Sequence, residues 1–310
     1  MKRIQYSKYG GPEQMRLEDF DLATPGKSQV AVQVKFAAIN PIDWKLRAGQ
    51  MKIITGSNFP RAMGMDFSGT VISVGPGVTR FKAGDAVFGL APFKETGALA
   101  QAVVANETSL SKMPGKVSFE EAACLGTPGV TAWNGLVDKA KLSAGMRVFV
   151  NGCAGAVGEA TVQLARMIGA TVSGSCSAGD MERARLLGVQ SVFDYRTDEL
   201  SKTRERFDAV YDTAATMTTA MGFGLLNKDG VFLDLNPSPG KFIRAIFNRR
   251  LKPVVCTPRP DILDSIADAA GAGKFKLPIA EIVPLSQAIE LVSALEAGRK
   301  LGGKGLVAME

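Results

Sequence analysis

Residues 148–158 read VFVNGCAGAVG, an apolar strand running straight into a glycine-spaced turn. A turn that cradles a pyrophosphate needs a tight bend, a point of close backbone approach, and a small residue where helix meets strand. Gly155 and Gly158 take the second and third of those positions, Cys153 takes the first, and Gly152 stands one residue early. The loop is therefore G-x-x-G-x-x-G, a variant of the usual spacing. The next segment, AVGEATVQLARMIG (156–169), has helical periodicity, with Val157, Ala160, Leu164, Ala165 and Ile168 on one face and Glu159, Gln163 and Arg166 on the other. Strand before and helix after is the context in which such glycines hold phosphates. The N–H groups of Ala156, Val157 and Gly158 then face the anion from the helix start.

Downstream of this loop, strands and helices keep alternating: ATVSGSC, DMERARLLG, SVFDY, FDAVYDTA, GVFLDLN and LKPVVCT. That alternation predicts a doubly wound parallel sheet with helices on both faces. Upstream, SFEEAACLGTPGVTAWNGLVDKA (118–140) reads as two helical pieces, with Ser118 and Glu121 forming a capping box. The first third is β-rich. QVAVQVKFAAIN (29–40), DFSGTVISVGPGVTRFKAGDAVFGL (66–90) and ALAQAVVAN (98–106) carry short apolar runs between turn signals, as in a small barrel. The tail reads as one helix, SQAIELVSALEAGRK, and a last strand, LGGKGLVAM.

The chain has 310 residues, enough for two domains with separate cores. No stretch approaches the ~18 apolar residues of a membrane span, and MKRIQYSKYGG at the start lacks the apolar run of a secretory signal. The expectation is a cytoplasmic protein with no membrane partner. Lys and Arg exceed Asp and Glu by 37 to 30, and the excess is scattered apart from RAIFNRRLK at 244–252. Nucleic-acid binding would want a basic stripe interleaved with aromatics, and aromatics make up only 7% of the chain. No nucleic-acid partner is expected, whereas anionic small molecules suit such a surface. Cys124, Cys153, Cys176 and Cys256 form no C-x-x-C pair and there is no histidine. Isolated buried thiols and no metal site are expected. GRKLGGKG (298–305) fails as an ATP phosphate loop, because Gly305 stands where a hydroxyl must ligate Mg²⁺.

The stretches NPIDWKLRAG (40–49), GMDFSGTVISVGPGVTRFKAGDAVFG (64–89), GTPGVTAW (126–133), NGCAGAVGEATVQLA (151–165), FDYR (193–196) and GGKGLV (302–307) together resemble the zinc-independent medium-chain dehydrogenase/reductases, in their quinone oxidoreductase and enone reductase branch. The resemblance implies an α/β protein with a GroES-like barrel catalytic domain over 1–118 and 262–310. A Rossmann domain over 119–261 is inserted in it, and the active site would lie in the cleft. Zinc-binding members of the superfamily use Cys and His ligands, and this chain has neither the His nor a four-Cys lobe. A short-chain dehydrogenase would need Lys four residues after Tyr, and none of the four tyrosines has one.

NAD enzymes place an acidic residue at the end of the second strand to hold the ribose hydroxyls. Here that strand ends in Ser175, Cys176 and Ser177, and Asp180 follows as a helix N-cap. Hydroxyls suit a 2′-phosphate, so NADPH is the expected cofactor. Tyr195 of FDYR matches a tyrosine that relatives use on this side. Relatives often add a loop lysine or arginine where this chain has Gly179, which leaves Arg183 or Arg196 as substitutes. The resemblance also places Lys304 and Thr131 near the cofactor.

The hydride belongs to the cofactor, and the protein must stabilise negative charge developing on a carbonyl oxygen. NPIDWK offers an amide (Asn40), a carboxylate (Asp43) and an amine (Lys45) for this. The alternative is that Asn40-Pro41 turns the chain, Asp43 caps a short helix and Trp44 is core. Phe242 and Phe247, in the 237–250 segment, resemble an apolar substrate-side wall. The expected activity is NADPH-dependent reduction of the carbon–carbon double bond of α,β-unsaturated carbonyls. Quinone reduction is the near alternative and a low-turnover NADPH-binding module the distant one. A homodimer is compatible with this reading.

Overall fold

The computed structural model describes residues 1–236 and 238–309. The chain divides into two compact units, Met1–Thr127 with Pro258–Glu310, and Pro128–Thr257. These divides fall at 127/128 and 257/258, where sequence reading had placed 118/119 and 261/262. The difference comes from the Phe119–Ala123 helix, which packs on the Gln29–Ala38 and Asp66–Val74 strands, and from the Pro260–Gly271 helix, which begins on the first unit's side. The helix start at Ser118 is the expected capping box. Ser118 Oγ accepts the Glu121 N–H at 3.2 Å, and the Glu121 carboxylate accepts the Ser118 N–H at 3.1 Å.

In the first unit the Gln29–Ala38 strand is the hub. It pairs antiparallel with Asp66–Val74 along its length, with Ala102–Asn106 over its first half and with Lys304–Ala308 over its last residues. The seven-stranded sheet runs Ile279–Pro284, Lys304–Ala308, Gln29–Ala38, Asp66–Val74, Ala86–Leu90, Leu110–Lys112, with Ala102–Asn106 alongside the hub. A three-stranded sheet of Lys2–Tyr6, Arg16–Asp19 and Arg61–Ala62 shares its core, in which Ile4 and Tyr6 pack with Val30, Val32, Phe67 and Leu110. Alternation along the hub supplies this core, since Val30, Val32 and Val34 lie on one face of the strand. Trp44 packs against the same core, as the alternative reading of NPIDWK had it.

The second unit is a six-stranded, wholly parallel sheet. Its order is Ser191–Asp194, Thr171–Cys176, Arg147–Asn151, Phe207–Asp212, Leu226–Asp234, Leu251–Pro253. Numbered within the unit, that is 3-2-1-4-5-6, the doubly wound order of dinucleotide-binding folds. The strands are apolar on both faces, as burial beneath two helical layers requires. Phe149, Val210, Phe207 and Phe232 form the core on one side. The strand order reverses between Arg147–Asn151 and Phe207–Asp212, so the ligand crevice of such a sheet opens beyond Asn151 and Asp212.

The Gly126–Trp133 helix widens into a π-helical turn at Asn134–Lys139. Gly135 in that turn lets the Tyr211 ring pack closely against it, because a Cβ there would lie 2.4 Å from the ring. Tyr211 is fully buried and its hydroxyl donates to the Thr131 carbonyl at 2.9 Å. Among the described residues no helix is long and apolar enough to cross a membrane. Tyr211→Phe should lower the unfolding free energy by about 1–2 kcal/mol, the value of one buried hydrogen bond. Gly135→Ala should cost more, and denaturant titration of both variants measures the order.

Candidate active site and cofactor cradle

The register of four strands brings together residues remote in sequence. Leu306 is opposite Ala38, Ala38 opposite Asp66, and Asp66 opposite Leu90, so the hub's exit, Asp66 and the start of the last strand share one level. There, Lys304 Nζ donates to the Ile39 carbonyl at 2.8 Å and to Asn40 Oδ1 at 2.6 Å. Asn40 Nδ2 donates to Asp66 Oδ2 at 3.0 Å and to the Ala38 carbonyl at 3.2 Å. The other carboxylate oxygen of Asp66 accepts the Thr127 N–H at 2.9 Å and the Thr127 hydroxyl at 2.5 Å. A lysine, an amide and a carboxylate thus form one chain of bonds, and all three side chains are buried.

Both amide hydrogens of Asn40 are committed in this chain, and Lys304 is held in the first unit by two acceptors. Asn40 is therefore a scaffold for the charges around it. Asp43 accepts the Asn40 N–H at 2.8 Å from the first turn of the Pro41–Arg47 helix, and among the described residues its second oxygen accepts no well-formed hydrogen bond, although the Met65 N–H lies near the carboxyl. Burial pushes the Asp43 carboxyl up to about 7, and the nearby Asp66 charge adds to this against the pull of the Asn40 N–H and Lys304. Burial also raises Asp66, while Lys304, Thr127 and Asn40 oppose the shift. Lys45, two residues beyond Asp43, is on a different helix face. It is half-buried, and among the described residues its amine makes no bond to the network.

In the second unit the three glycine tasks fall differently from the sequence reading. Gly152, and not the Cys153 position, makes the tight turn, with φ +82°. Its N–H and that of Cys153 both donate to the Ser175 carbonyl, at 2.9 and 3.0 Å. Gly158 is required by packing, since a Cβ would stand 2.0 Å from the Gly152 carbonyl oxygen. Gly155 has φ −83°, and a Cβ there would meet only the Gly152 carbonyl oxygen, at an ordinary 3.4 Å. Nothing in the chain requires Gly155 to lack a side chain. It is the N-cap of the Ala156–Ile168 helix, and no side chain caps that helix. An uncapped helix start beside open space fits a pyrophosphate, with Ala156, Val157 and Gly158 offering their N–H groups.

Behind the loop the strand ends are stapled. Asn151 Nδ2 donates to Asp212 Oδ1 at 2.7 Å and to the Thr216 hydroxyl at 2.9 Å, while Asn151 Oδ1 accepts the Ser175 hydroxyl at 2.6 Å. Ser175 is 1% exposed, so its hydroxyl serves this network and not a ribose phosphate. Cys176 is buried as well, beside Cys153, and burial raises both thiols. These two cysteines are neighbours, where isolated thiols were expected, and Cys256 is only half-buried. Ser177 is half-exposed and donates to Asp180 Oδ2 at 2.5 Å. Asp180 does not cap a helix with its side chain. A 3₁₀ turn, Ala178–Asp180, folds it back to Ser177 and Arg183. A carboxylate therefore does stand near this corner, engaged by Arg183. Arg183 also pairs with Glu159, which is buried and not on a solvent face, and donates to the Ala154 carbonyl at 2.9 Å.

Tyr195 follows the third strand and is 49% exposed, and its N–H donates to the Cys176 carbonyl at 3.2 Å. Thr131 is buried within its helix, where its carbonyl receives the Tyr211 hydroxyl. Phe247 lines a cavity of about 230 Å³ with Phe223, Ile243 and Leu251, and Phe242 is outside it. Pro237, the first residue of that expected substrate-side segment, is outside the described residues. Sequence reading missed Asp66, Asn151 and Asp212. Each is a polar residue at the end of an apolar strand, the signal that marks a buried polar network or a sheet-end site.

Two family models match this architecture, the alcohol dehydrogenase GroES-like domain over residues 26–115 and the zinc-binding dehydrogenase over 187–304. The chain is 30% identical to a chloroplast envelope quinone oxidoreductase homolog of Arabidopsis thaliana, over 93% of this chain and 92% of that protein. It is 31% identical to an NADPH-dependent alkenal/one oxidoreductase, chloroplastic, of the same plant, over 87% of this chain and 75% of that protein. Among solved structures, the quinone oxidoreductase from Coxiella burnetii superposes with a TM-score of 0.91 at 28% identity, over 100% of this chain and 99% of that one. The chain belongs to the medium-chain dehydrogenase/reductase family, in its quinone oxidoreductase and alkenal/one reductase branch. It is an NAD(P)H-dependent oxidoreductase with the GroES-like and Rossmann domains of that family. The zinc in one model's description has no counterpart in its ligand chemistry, since the chain has no histidine, and among the described residues no group of three metal-ligating side chains comes together.

The glycine assignments predict opposite outcomes for two small substitutions. Gly158→Ala should lose about 2–3 kcal/mol of stability through overpacking. Gly155→Ala should hold stability to within about 0.5 kcal/mol yet weaken dinucleotide binding at least about tenfold. Thermal melts and calorimetric titration of both variants separate the two effects.

Asp43 predicts a pH dependence of stability. Its carboxyl is raised, so the folded chain keeps a proton that the unfolded chain releases from about pH 4 upward. The stabilisation from Asp43 is whole below pH 4, is lost as pH rises to about 7, and is level beyond. Asp66 is shifted in the same direction. Asp43→Asn keeps an acceptor for the Asn40 N–H and should flatten the fall in denaturant stability between pH 5 and pH 8. An unchanged slope would show that Asp43 is ionised across this range.

Proposed function

We propose that this protein is an NADPH-dependent reductase that saturates the carbon–carbon double bond of α,β-unsaturated carbonyl compounds. The observation that carries the reading is the division within NPIDWK. Asn40 and Asp43 are locked into the buried network, whereas among the described residues the Lys45 amine makes no hydrogen bond or ion pair. The nicotinamide supplies the hydride when bound. What the chain must add is a donor for the carbonyl oxygen on which negative charge develops. Lys45 is assigned that role, and the helix start at Asp43 holds the segment that carries it. Reduction at the carbonyl carbon is usually assisted by zinc or by a Tyr–Lys pair, and this sequence contains neither set of residues. NADPH is favoured by the capture of the Asp180 carboxylate at the ribose corner by Ser177 and Arg183. The NADPH-dependent relative supports the same choice.

Quinone reduction is the second reading, and the quinone oxidoreductase relatives favour it. It needs the same oxygen-side donor, so the two substrates are compared directly. A simple vinyl ketone with C4-deuterated NADPH should give the saturated ketone, labelled on the β-carbon. Lys45→Ala should lower kcat on the enone by ~10²-fold, the usual loss for one oxyanion donor, with folding intact. An allylic alcohol as the main product would overturn the assignment. A specificity constant for simple quinones far above that for every enone would move it to quinone reduction.

A further inference from the structure

We propose that Arg196, held over the ring of Tyr195, is the cation that takes the 2′-phosphate in this chain. The inference rests on the NADPH reading above and names the residue that enforces it. The parallel pairing of the second and third strands places Cys176 opposite Asp194. The bond from the Tyr195 N–H to the Cys176 carbonyl extends this register by one step, so the chain leaves the third strand next to Ser177. The turn that follows is built from side chains. Asp194 Oδ1 accepts the Arg196 N–H at 3.0 Å, and the Asp198 carboxylate accepts the Asp194 N–H at 2.8 Å. Arg196 emerges from this turn with its guanidinium carbon 5.5 Å from the Tyr195 ring centroid, and both side chains are exposed.

The other cations at this edge are in use. Arg183 is spent on Glu159, Asp180 and the Ala154 carbonyl, so it neutralises carboxylates and braces the glycine loop. Arg185 pairs with Glu182 at 3.7 Å one helical turn away. The Asp194 and Asp198 carboxylates are engaged by the backbone of their own turn, and Asp180 by Ser177 and Arg183. Among the described residues Arg196 forms no ion pair. An exposed guanidinium over a tyrosine ring keeps N–H donors for a ligand, and its planar fork can grip a phosphate in bidentate fashion. The ring beneath restricts its rotamers, which lowers the entropy lost on binding. Gly179 carries no side chain, so the place of a loop lysine falls to Arg196 from the neighbouring strand.

Calorimetric titration with NADPH, NADH and adenosine 2′,5′-bisphosphate tests this in the wild type and in Arg196→Gln, Arg185→Gln and Arg183→Gln. Arg196→Gln should weaken NADPH and the bisphosphate at least about tenfold and leave NADH within about twofold. Arg185→Gln should keep the wild-type ratio, and Arg183→Gln should weaken both dinucleotides alike by loosening the loop. A wild type that favours NADPH with a ratio unchanged in Arg196→Gln would overturn the proposal and leave the NADPH reading standing. Loss of the ratio in Arg185→Gln instead would also overturn it. A wild type with no preference for NADPH would overturn the reading beneath it, and this is visible before any variant is made.

Discussion

The carboxylate of Asp66 is sealed from water, and an uncompensated buried charge costs several kcal/mol. Much of the first unit's polar architecture meets that requirement. Thr127 supplies two donors from the start of a helix, Asn40 supplies an amide from the end of the hub strand, and Lys304 supplies the counter-charge through Asn40. A network of this kind is tolerable only when each member is satisfied. The exception is one oxygen of Asp43, and that group also has the strongly raised carboxyl. The burden of the buried charges is thus concentrated on the segment from which a donor for substrate is expected.

The second unit handles its polar groups in the opposite manner. At the carboxyl ends of its strands, Asn151, Ser175, Asp212 and Thr216 satisfy one another, which leaves the loop above them stiffly held. The backbone N–H groups at the helix start, where no side chain intrudes, remain for a ligand. Rigid support beneath and open donors above give the preorganisation that anion binding rewards, because little entropy remains to be lost on binding.

The parallel sheet and its glycine loop were legible because period, strand length and turn chemistry agree there. The capping box at Ser118 was legible for the same reason, as a local pattern with a local cause. The roles of single side chains were less so. Ser175 and Ser177 look alike in GSCS, but strand alternation turns the first inward to Asn151 and leaves the second at the rim. Asn40 reads as a donor in isolation, and only pairing of the hub with the Asp66 strand, 26 positions away, reveals that its Nδ2 hydrogens are occupied. Glu159 looks solvent-facing by helical period, yet an arginine from the next helix covers it. In each instance the missing information was the identity of a partner distant along the chain.

The strand that delivers Lys304 has a bearing on synthesis of the protein. The hub strand, Asn40 and Asp66 leave the ribosome well before their cation, which follows Asn40 by 264 residues. The parallel-sheet unit is continuous and is complete once residue 257 has emerged. During translation, therefore, that unit has all its strands while the nascent N-terminal region still lacks a seam of its sheet and the counter-charge for a buried carboxylate. Until the final strand docks, Asp66 and Asp43 are better solvated than buried. Completion of the first unit is thereby tied to the Lys304–Ala308 strand, so a product cut short of it would carry an unclosed sheet with an exposed hub edge.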